Sequence, residues 1–423
     1  MINENLSLII TDNYDVSLKK LEIFVKRIKT IRDVDCRGKK VFVRVDFNVP
    51  LNEYSAVSDD ARIVAALPTI EYLVQSGARV ILASHLGRPD GERMAKHSMS
   101  SVAKILAQYL GQSVLFLQNC VGEDVEFAVS KMTNGSVALL ENLRFYAGET
   151  KNDPEFAKQL AALADIYVND AFGTAHRAHA STEGITHFVE TKVAGFLIER
   201  ELEFLGSRVL DPERPFTVIL GGAKVSDKIN IINNLLDKAD NLLIGGAMAF
   251  TFLAANGHKT GTSLVEKDKL KLAKDVLKTA EDKDVNMLIP TDFVVTDEYN
   301  PEKMTVNEVK VVDSDIPDGW CGVDIGPKTV EKYSNVITHS RTILWNGPLG
   351  IFEIEKASRG TFDVAKAIAS SEAISIIGGG DLGKAIRKSG YDGYMTFIST
   401  GGGASLEFLE GKELPGVAAL DRI

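Results

Sequence analysis

The sequence predicts an α/β protein with two parallel-sheet domains joined by an interdomain helix. Three observations predict this class. The first is a recurring unit: an apolar or β-branched run of about five residues, a glycine-rich or polar turn, then a helical pattern. The second is that the runs are continuous rather than alternating, as in strands covered on both faces of a parallel sheet. The third is "VAGFLIERELEFLGSRVLDPERP" from Val193, where Phe196, Leu197, Leu202, Leu205 and Val209 form a helical stripe that Pro212 and Pro215 end. Each domain is thus expected to be doubly wound (Rossmann-like).

In chain order, the first-half runs are "KVFVRVDFN", "ARVILASHLGR", "SVALLENLRF" and "DIYVNDAFG". The second-half runs are "FTVILGGAK", "NLLIGGAMA", "RTILWNGPLG", "AISIIGGGD" and "MTFISTGGG". Each ends in a polar or glycine turn, and ligands of open α/β sheets sit at the carboxyl ends of strands. Ahead of these units, "SLKKLEIFVKRIK" from Ser17 predicts a basic amphipathic helix packed on the body. A length of 423 residues suits two or three domains.

Hydrophobic residues make up 45% and charged residues 25%, the balance of a soluble globular protein. The net charge of -10 argues against general affinity for nucleic acid or an anionic membrane. An anionic ligand must then be met by a local cluster of Arg, Lys or backbone N–H groups. Cys36, Cys120 and Cys321 are far apart and form no C-x-x-C. With "MINENLSLII" resembling neither a signal peptide nor a membrane span, a cytoplasmic location is expected.

The two halves differ in what their strand ends carry. The first half presents Arg62, His85, Arg88, Arg144, His176 and Arg177. Arginines from separate units, once gathered, make a site of bidentate donors suited to a phosphate plus a carboxylate, or to two phosphates. Asp46 and Asn48 suit hydroxyls of the same ligand. "AHRAH" places His176 and His179 at metal-like spacing but lacks a third and fourth ligand.

The second half presents Gly221–Gly222, Gly245–Gly246, Gly378–Gly380 and Gly401–Gly403. Such turns let a ligand approach backbone N–H groups at helix N-termini, where the dipole favours anions. Lys224 follows the first pair, and Lys228 is expected one helical turn later, aimed at the same phosphate. Asp381 reads as a helix N-cap or as a ligand of nucleotide-bound Mg2+. Glu353 suits ribose hydroxyls. Leu253, Cys321, Leu349 and Ile351 are candidate walls for a flat base, with core packing as their default role. Gly378, Gly380 and Gly383 satisfy G-x-G-x-x-G, but Glu407 is poorly placed for the acid that a dinucleotide site needs. Walker A and the protein-kinase motifs are absent. The loop therefore reads as a mononucleotide-phosphate contact, and no hydride-handling residue marks a dehydrogenase.

Together these motifs resemble phosphoglycerate kinase. The similarity runs from about Lys29 to Ile423 and rests on "RVDFNVP", "SHLGRP", "ENLRF", "NDAFGTAHRAHAST", "GGAKVSDKI", "GGAMAFTFL", "WNGPLGIFE", "GGGD" and "STGGGASLEFLEGKELPGV" in order. The resemblance implies reversible Mg2+-dependent phosphoryl transfer between 1,3-bisphosphoglycerate and ADP, giving 3-phosphoglycerate and ATP. It implies a phosphoglycerate-binding domain at 29–195 completed by about 410–423, a linking helix at 196–213, and a nucleotide-binding domain at 214–409, behind an extension at 1–28. It further implies hinge-bending and a monomer. Asp46, Asn48, Arg62, His85, Leu86, Gly87, Arg88, Arg144 and Arg177 would contact phosphoglycerate. Gly222, Lys224, Lys228, Gly322, Asn346, Glu353, Gly379, Gly380, Asp381 and Leu382 would contact nucleotide, with Asp381 beside the metal. Arg62, Lys224 and Lys228, with amides near Gly380 and Gly402, would act on the transferring group. A non-catalytic relative would be expected to lack Arg62, Lys224, Lys228 or Asp381, and all four stand here. Leu382 occupies a position where the family usually has Thr or Ser, which removes a hydroxyl expected near the nucleotide phosphates.

Overall fold

The computed structural model describes residues 27–423, so most of the basic helix expected from Ser17 lies outside the described residues. The chain divides into two compact units. One runs to Glu199 and takes in Leu414–Ile423; the other is Arg200–Glu413.

The first unit is built on β1 (Lys40–Val45), β2 (Arg79–Ala83), β3 (Val114–Phe116), β4 (Val137–Leu139), β5 (Ile166–Asp170) and β6 (Thr191–Ala194). All six run parallel in the order β3-β4-β2-β1-β5-β6. Val43 pairs with Leu82 on one side and Val168 on the other, so the carboxyl ends of the three strands reach one edge together. Val41, Val43 and Val45 are fully buried in one cluster with Ile63, Ile70 and Leu73 of the helix Ala61–Gln75. The C-terminal segment belongs to this unit. Asn169 Nδ2 donates to the Gly416 carbonyl at 2.9 Å, and the Gly416 N–H donates to the Ala175 carbonyl at 2.9 Å.

The second unit holds β7 (Phe216–Leu220), β8 (Asn241–Ile244), β9 (Asn286–Leu288), β10 (Asp292–Thr296), β11 (Tyr299–Asn300), β12 (Thr305–Val306), β13 (Val309–Asp313), β14 (Cys321–Ile325), β15 (Thr342–Asn346), β16 (Ile374–Gly378) and β17 (Phe397–Ile398). Its main sheet is again six-stranded and parallel, in the order β17-β16-β15-β7-β8-β9. The chain switches direction between β7 and β15, the crevice where such sheets bind ligands. Trp345, Ile219, Ile343, Ile377 and Leu382 share its core. The reading of continuous runs did not anticipate an antiparallel sheet β13-β10-β14 and a hairpin β11–β12. Strand β13 is only half covered, so it lacks the continuous apolar signature of a buried parallel strand.

The linking helix starts at Phe196 and passes through a π-helical stretch, Leu202–Ser207, before ending at Leu210. Ile198, Leu205 and Val209 are its buried apolar side chains, alongside the buried Glu201 and Gly206, so the stripe expected from the sequence is shifted toward Ile198. The Asp170 carboxylate accepts from the Leu197 N–H at 2.8 Å at its start.

Candidate active site

In the first unit the turns after β1, β2 and β4 bring most of the expected residues together. Arg62 Nη1 donates to the Asp46 carboxylate from the first turn of its helix. Asn48 Oδ1 accepts from the Gly87 N–H at 2.9 Å. Arg144 Nη1 donates to the Gly87 carbonyl at 2.8 Å. Leu86 is buried, and Asn142 laces its segment to Arg144, accepting from the N–H groups of both at 3.2 and 3.0 Å. Arg88 and Arg177 are exposed, and Arg177 Nε donates to His176 Nε2 at 3.0 Å.

The electrostatics of this cluster are cationic. Burial, followed by the charges of Arg44, Arg144 and Arg62, holds His85 well below its ordinary value of 6.5. Burial lowers His179 to about 4, again with Arg44, Arg144 and Arg177 contributing. Burial and then Arg177 and Arg44 lower even the Arg144 guanidinium. Several guanidinium groups that depress one another's neighbours make a local well for an anion, which the net acidity of the chain otherwise disfavours.

In the second unit Lys228, Asn346 and Gly379 come together at the switch between β7 and β15. Lys228 Nζ donates to Asn346 Oδ1, and burial lowers the lysine from its ordinary value. Among the described residues Asn346 Nδ2 has no hydrogen-bond partner, and it lies 3.4 Å from where a Gly379 side chain would begin. Gly379 caps the helix Gly380–Ser389 in a left-handed conformation at φ +95°. Nothing lies within 4 Å of the position a side chain would take at Gly380 or Gly402. The first-turn N–H groups of that helix have no intrahelical acceptor, so they face an open approach. Lys224 is exposed; Asp381 is exposed and pairs with Lys384 at 2.9 Å. Glu353 is exposed, and Gly322 donates to Ser263 Oγ at 2.9 Å.

Several expectations change. Asp381 is not the N-cap, because Gly379 holds that position and Asp381 stands in the first turn. Lys228 is not a helical turn beyond Lys224, because the helix begins only at Ile229. Gly221, Gly245 and Gly246 serve packing: their missing side chains are replaced by Pro348 O at 2.1 Å, Leu349 Cδ2 at 2.4 Å and Gly222 backbone at 2.5 Å. Leu382 is 1% exposed and packs into the core. Leu253 and Leu349 are core residues, while Cys321 and Ile351 are only partly buried. The sequence reading also missed Arg44, Glu149 and Asn142. Arg44 carried a signal: it is a charge inside the otherwise apolar run "KVFVRV", and it is 1% exposed.

Two parallel α/β units, one with a cationic strand edge and one with an open glycine-rich helix terminus beside a buried lysine, have the layout of a nucleotide-dependent kinase acting on a small anion. The chain matches the family model for phosphoglycerate kinase over residues 31–412. A phosphoglycerate kinase from Clostridium botulinum (strain 657 / Type Ba4) is 53% identical over 395 residues, 93% of this chain and 98% of that protein. A structure of phosphoglycerate kinase from Coxiella burnetii matches with a TM-score of 0.83 at 39% identity, covering 93% of this chain and 98% of that one. One from Pyrococcus horikoshii OT3 gives 0.77 at 35% identity, over 93% and 98%. The chain belongs to the phosphoglycerate kinase family.

Proposed function

We propose that this chain catalyses reversible phosphoryl transfer between 1,3-bisphosphoglycerate and ADP, giving 3-phosphoglycerate and ATP, as a glycolytic enzyme of the cytoplasm acting as a monomer. Family membership carries the reaction. The cationic edge of the first unit supports phosphoglycerate binding there, and the open terminus at Gly380 supports nucleotide phosphates in the second. Among the described residues no helix is long and apolar enough to cross a membrane.

No protein nucleophile is needed. The carboxylate oxygen of 3-phosphoglycerate bonds to the γ-phosphorus of ATP as the bond to ADP breaks in line. The protein positions both partners and neutralises charge on the equatorial oxygens. Arg62 and Lys224 are assigned that neutralisation, with Lys228 and the amides near Gly380 and Gly402. Arg88, Arg144, Arg177 and His85 hold the phosphoglycerate, with Asp46 and Asn48 on its hydroxyl. Leu86 and Gly87 shape that loop; Gly222, Gly322, Asn346, Glu353, Gly379 and the Leu382 amide surround the nucleotide. Direct transfer requires the ligands to meet, so turnover on this reading includes a closing movement about 196–213.

Among the described residues no three or more His, Cys, Asp or Glu side chains gather to hold a metal ion. The exposed carboxylate of Asp381 fits an ion that arrives with nucleotide, since Mg2+ is commonly held by one or two carboxylates plus substrate phosphates. Bound there, Mg2+ would neutralise phosphate charge. The test is a coupled assay with 3-phosphoglycerate and MgATP, in which glyceraldehyde-3-phosphate dehydrogenase consumes the product and NADH loss is followed. Activity requiring both substrates and Mg2+ is expected. A folded protein that binds 3-phosphoglycerate without turning over would overturn the proposal.

A further inference from the structure

Arg44 lies behind the cationic cluster. It is 1% exposed, and its guanidinium has a fork of fixed geometry. Nε donates to Ser181 Oγ at 2.8 Å, and Nη2 lies 3.3 Å from His85 Nδ1. Ser181 in turn donates its hydroxyl to Glu149 Oε1 at 2.6 Å and its N–H to Glu149 Oε2 at 3.0 Å. Glu149 is fully buried, so the arginine is braced by a serine and a carboxylate that cannot turn to solvent.

This bracing decides which ring nitrogen of His85 carries the proton. A guanidinium is always a donor, so Nδ1 facing Arg44 must accept. The other tautomer would set two donors against each other and leave a buried N–H unpaired. Asp46 does not rescue it. Its Oδ1 is 3.9 Å from Nδ1, beyond hydrogen-bond reach, and accepts from the Asn48 N–H, while Oδ2 is taken by Arg62. Nε2 has no protein acceptor among the described residues.

We propose that Arg44 is a positioning residue that fixes His85 as the Nε2–H tautomer, so that the ring meets an anionic oxygen of phosphoglycerate as a donor of set direction. The charged groups around the ring are Arg44, Arg144, Arg62 and Asp46, with the titratable His179 beside them; burial disfavours the charged ring first, and the three guanidinium groups, which outnumber the one carboxylate, add to it. The ring therefore stays uncharged through the range where an ordinary histidine titrates. The ligand's place beside His85 rests on the function proposed above; the tautomer does not.

The test uses the full chain labelled with 15N-histidine. Long-range 1H–15N spectra report which ring nitrogen is protonated, and the His85 set is identified by its loss in His85→Gln. The expected result is a proton on Nε2 and ring shifts constant from about pH 8 to about pH 5. A proton on Nδ1, or a ring titrating near 6.5, overturns the role of Arg44 whatever the ligand. Arg44→Lys keeps the charge but loses the fork. It is expected to abolish the tautomer preference and raise KM for 3-phosphoglycerate about tenfold, the effect of one ordinary hydrogen bond, with KM for ATP unchanged. If that variant does not fold, the wild-type spectrum decides. The Nε2–H tautomer with unchanged 3-phosphoglycerate KM in both His85→Gln and Arg44→Lys would instead sink the ligand placement, and with it the purpose assigned to Arg44.

Discussion

Arg62 shows how little a single side chain needs to do once its neighbours are set. It rests on Asp46 and keeps a third of its side chain exposed, so its remaining donors are available to a ligand. If it acts on the transferring group, Arg62→Ala should lower kcat roughly 10²-fold, as losing one preorganised donor does, and leave nucleotide KM nearly unchanged. Steady-state kinetics with each substrate varied would check this, and an equal loss of nucleotide affinity would refute it. Leu382 makes the opposite case. Its side chain is in the core, so Leu382→Thr should not tighten nucleotide binding. It should instead lower stability by about 1–3 kcal/mol, through lost apolar burial and a hydroxyl with no partner. Urea denaturation alongside calorimetric nucleotide titration would separate the two effects.

The glycine-rich strand ends divide by the space behind them. At Gly221 a side chain would start 2.1 Å from the Pro348 carbonyl oxygen, whereas at Gly380 nothing lies within 4 Å. Gly221→Ala must therefore push two backbone segments apart, a cost of about 1–3 kcal/mol or more. Gly380→Ala should fold with an unchanged melting temperature, and any defect should appear in nucleotide binding. Melting curves of the two variants would decide; equal destabilisation would refute the division. Loops that look alike in sequence thus do different work: one set joins β7, β8 and β15 closely, the other leaves helix N–H groups open.

Across the whole molecule, buried carboxyls, among them Asp324, Asp170 and Glu201, contribute a pH dependence. Burial raises Asp324 to about 8 and Asp170 and Glu201 to about 7. Each is raised above its unfolded value, so the folded state holds protons that the unfolded state has released. Their contribution is fully present below about pH 4 and is lost as pH rises through the folded values. From these groups, stability should fall between about pH 4 and about pH 8. Asp324 accepts from the Gly360 N–H at 2.7 Å, a bond that an amide oxygen can also accept. Asp324→Asn should therefore fold and show a flatter fall, measured as the urea midpoint against pH. An unchanged slope would remove Asp324 from the account. The division into two units carries a second expectation at this scale. Arg144→Ala should weaken 3-phosphoglycerate binding while calorimetry finds nucleotide affinity unchanged, and Lys228→Met should do the reverse. Coupled losses in both variants would refute separate half-sites.

The sequence by itself determined the two parallel α/β units, because continuous apolar runs alternating with helical patterns can be buried in few other ways. It also determined the chemistry at the strand ends, since arginines and glycines placed directly after strands are carried to one edge of a sheet. Tertiary structure decided what spacing along the chain cannot carry. Whether a glycine is empty or filled depends on a distant segment, as Pro348 fills the space at Gly221. The direction of the Leu382 side chain depends on which face of its helix meets Trp345 and Ile377. The bracing of Arg44 by Ser181 and Glu149 joins residues far apart in sequence, and only the packed sheet brings them within hydrogen-bond distance.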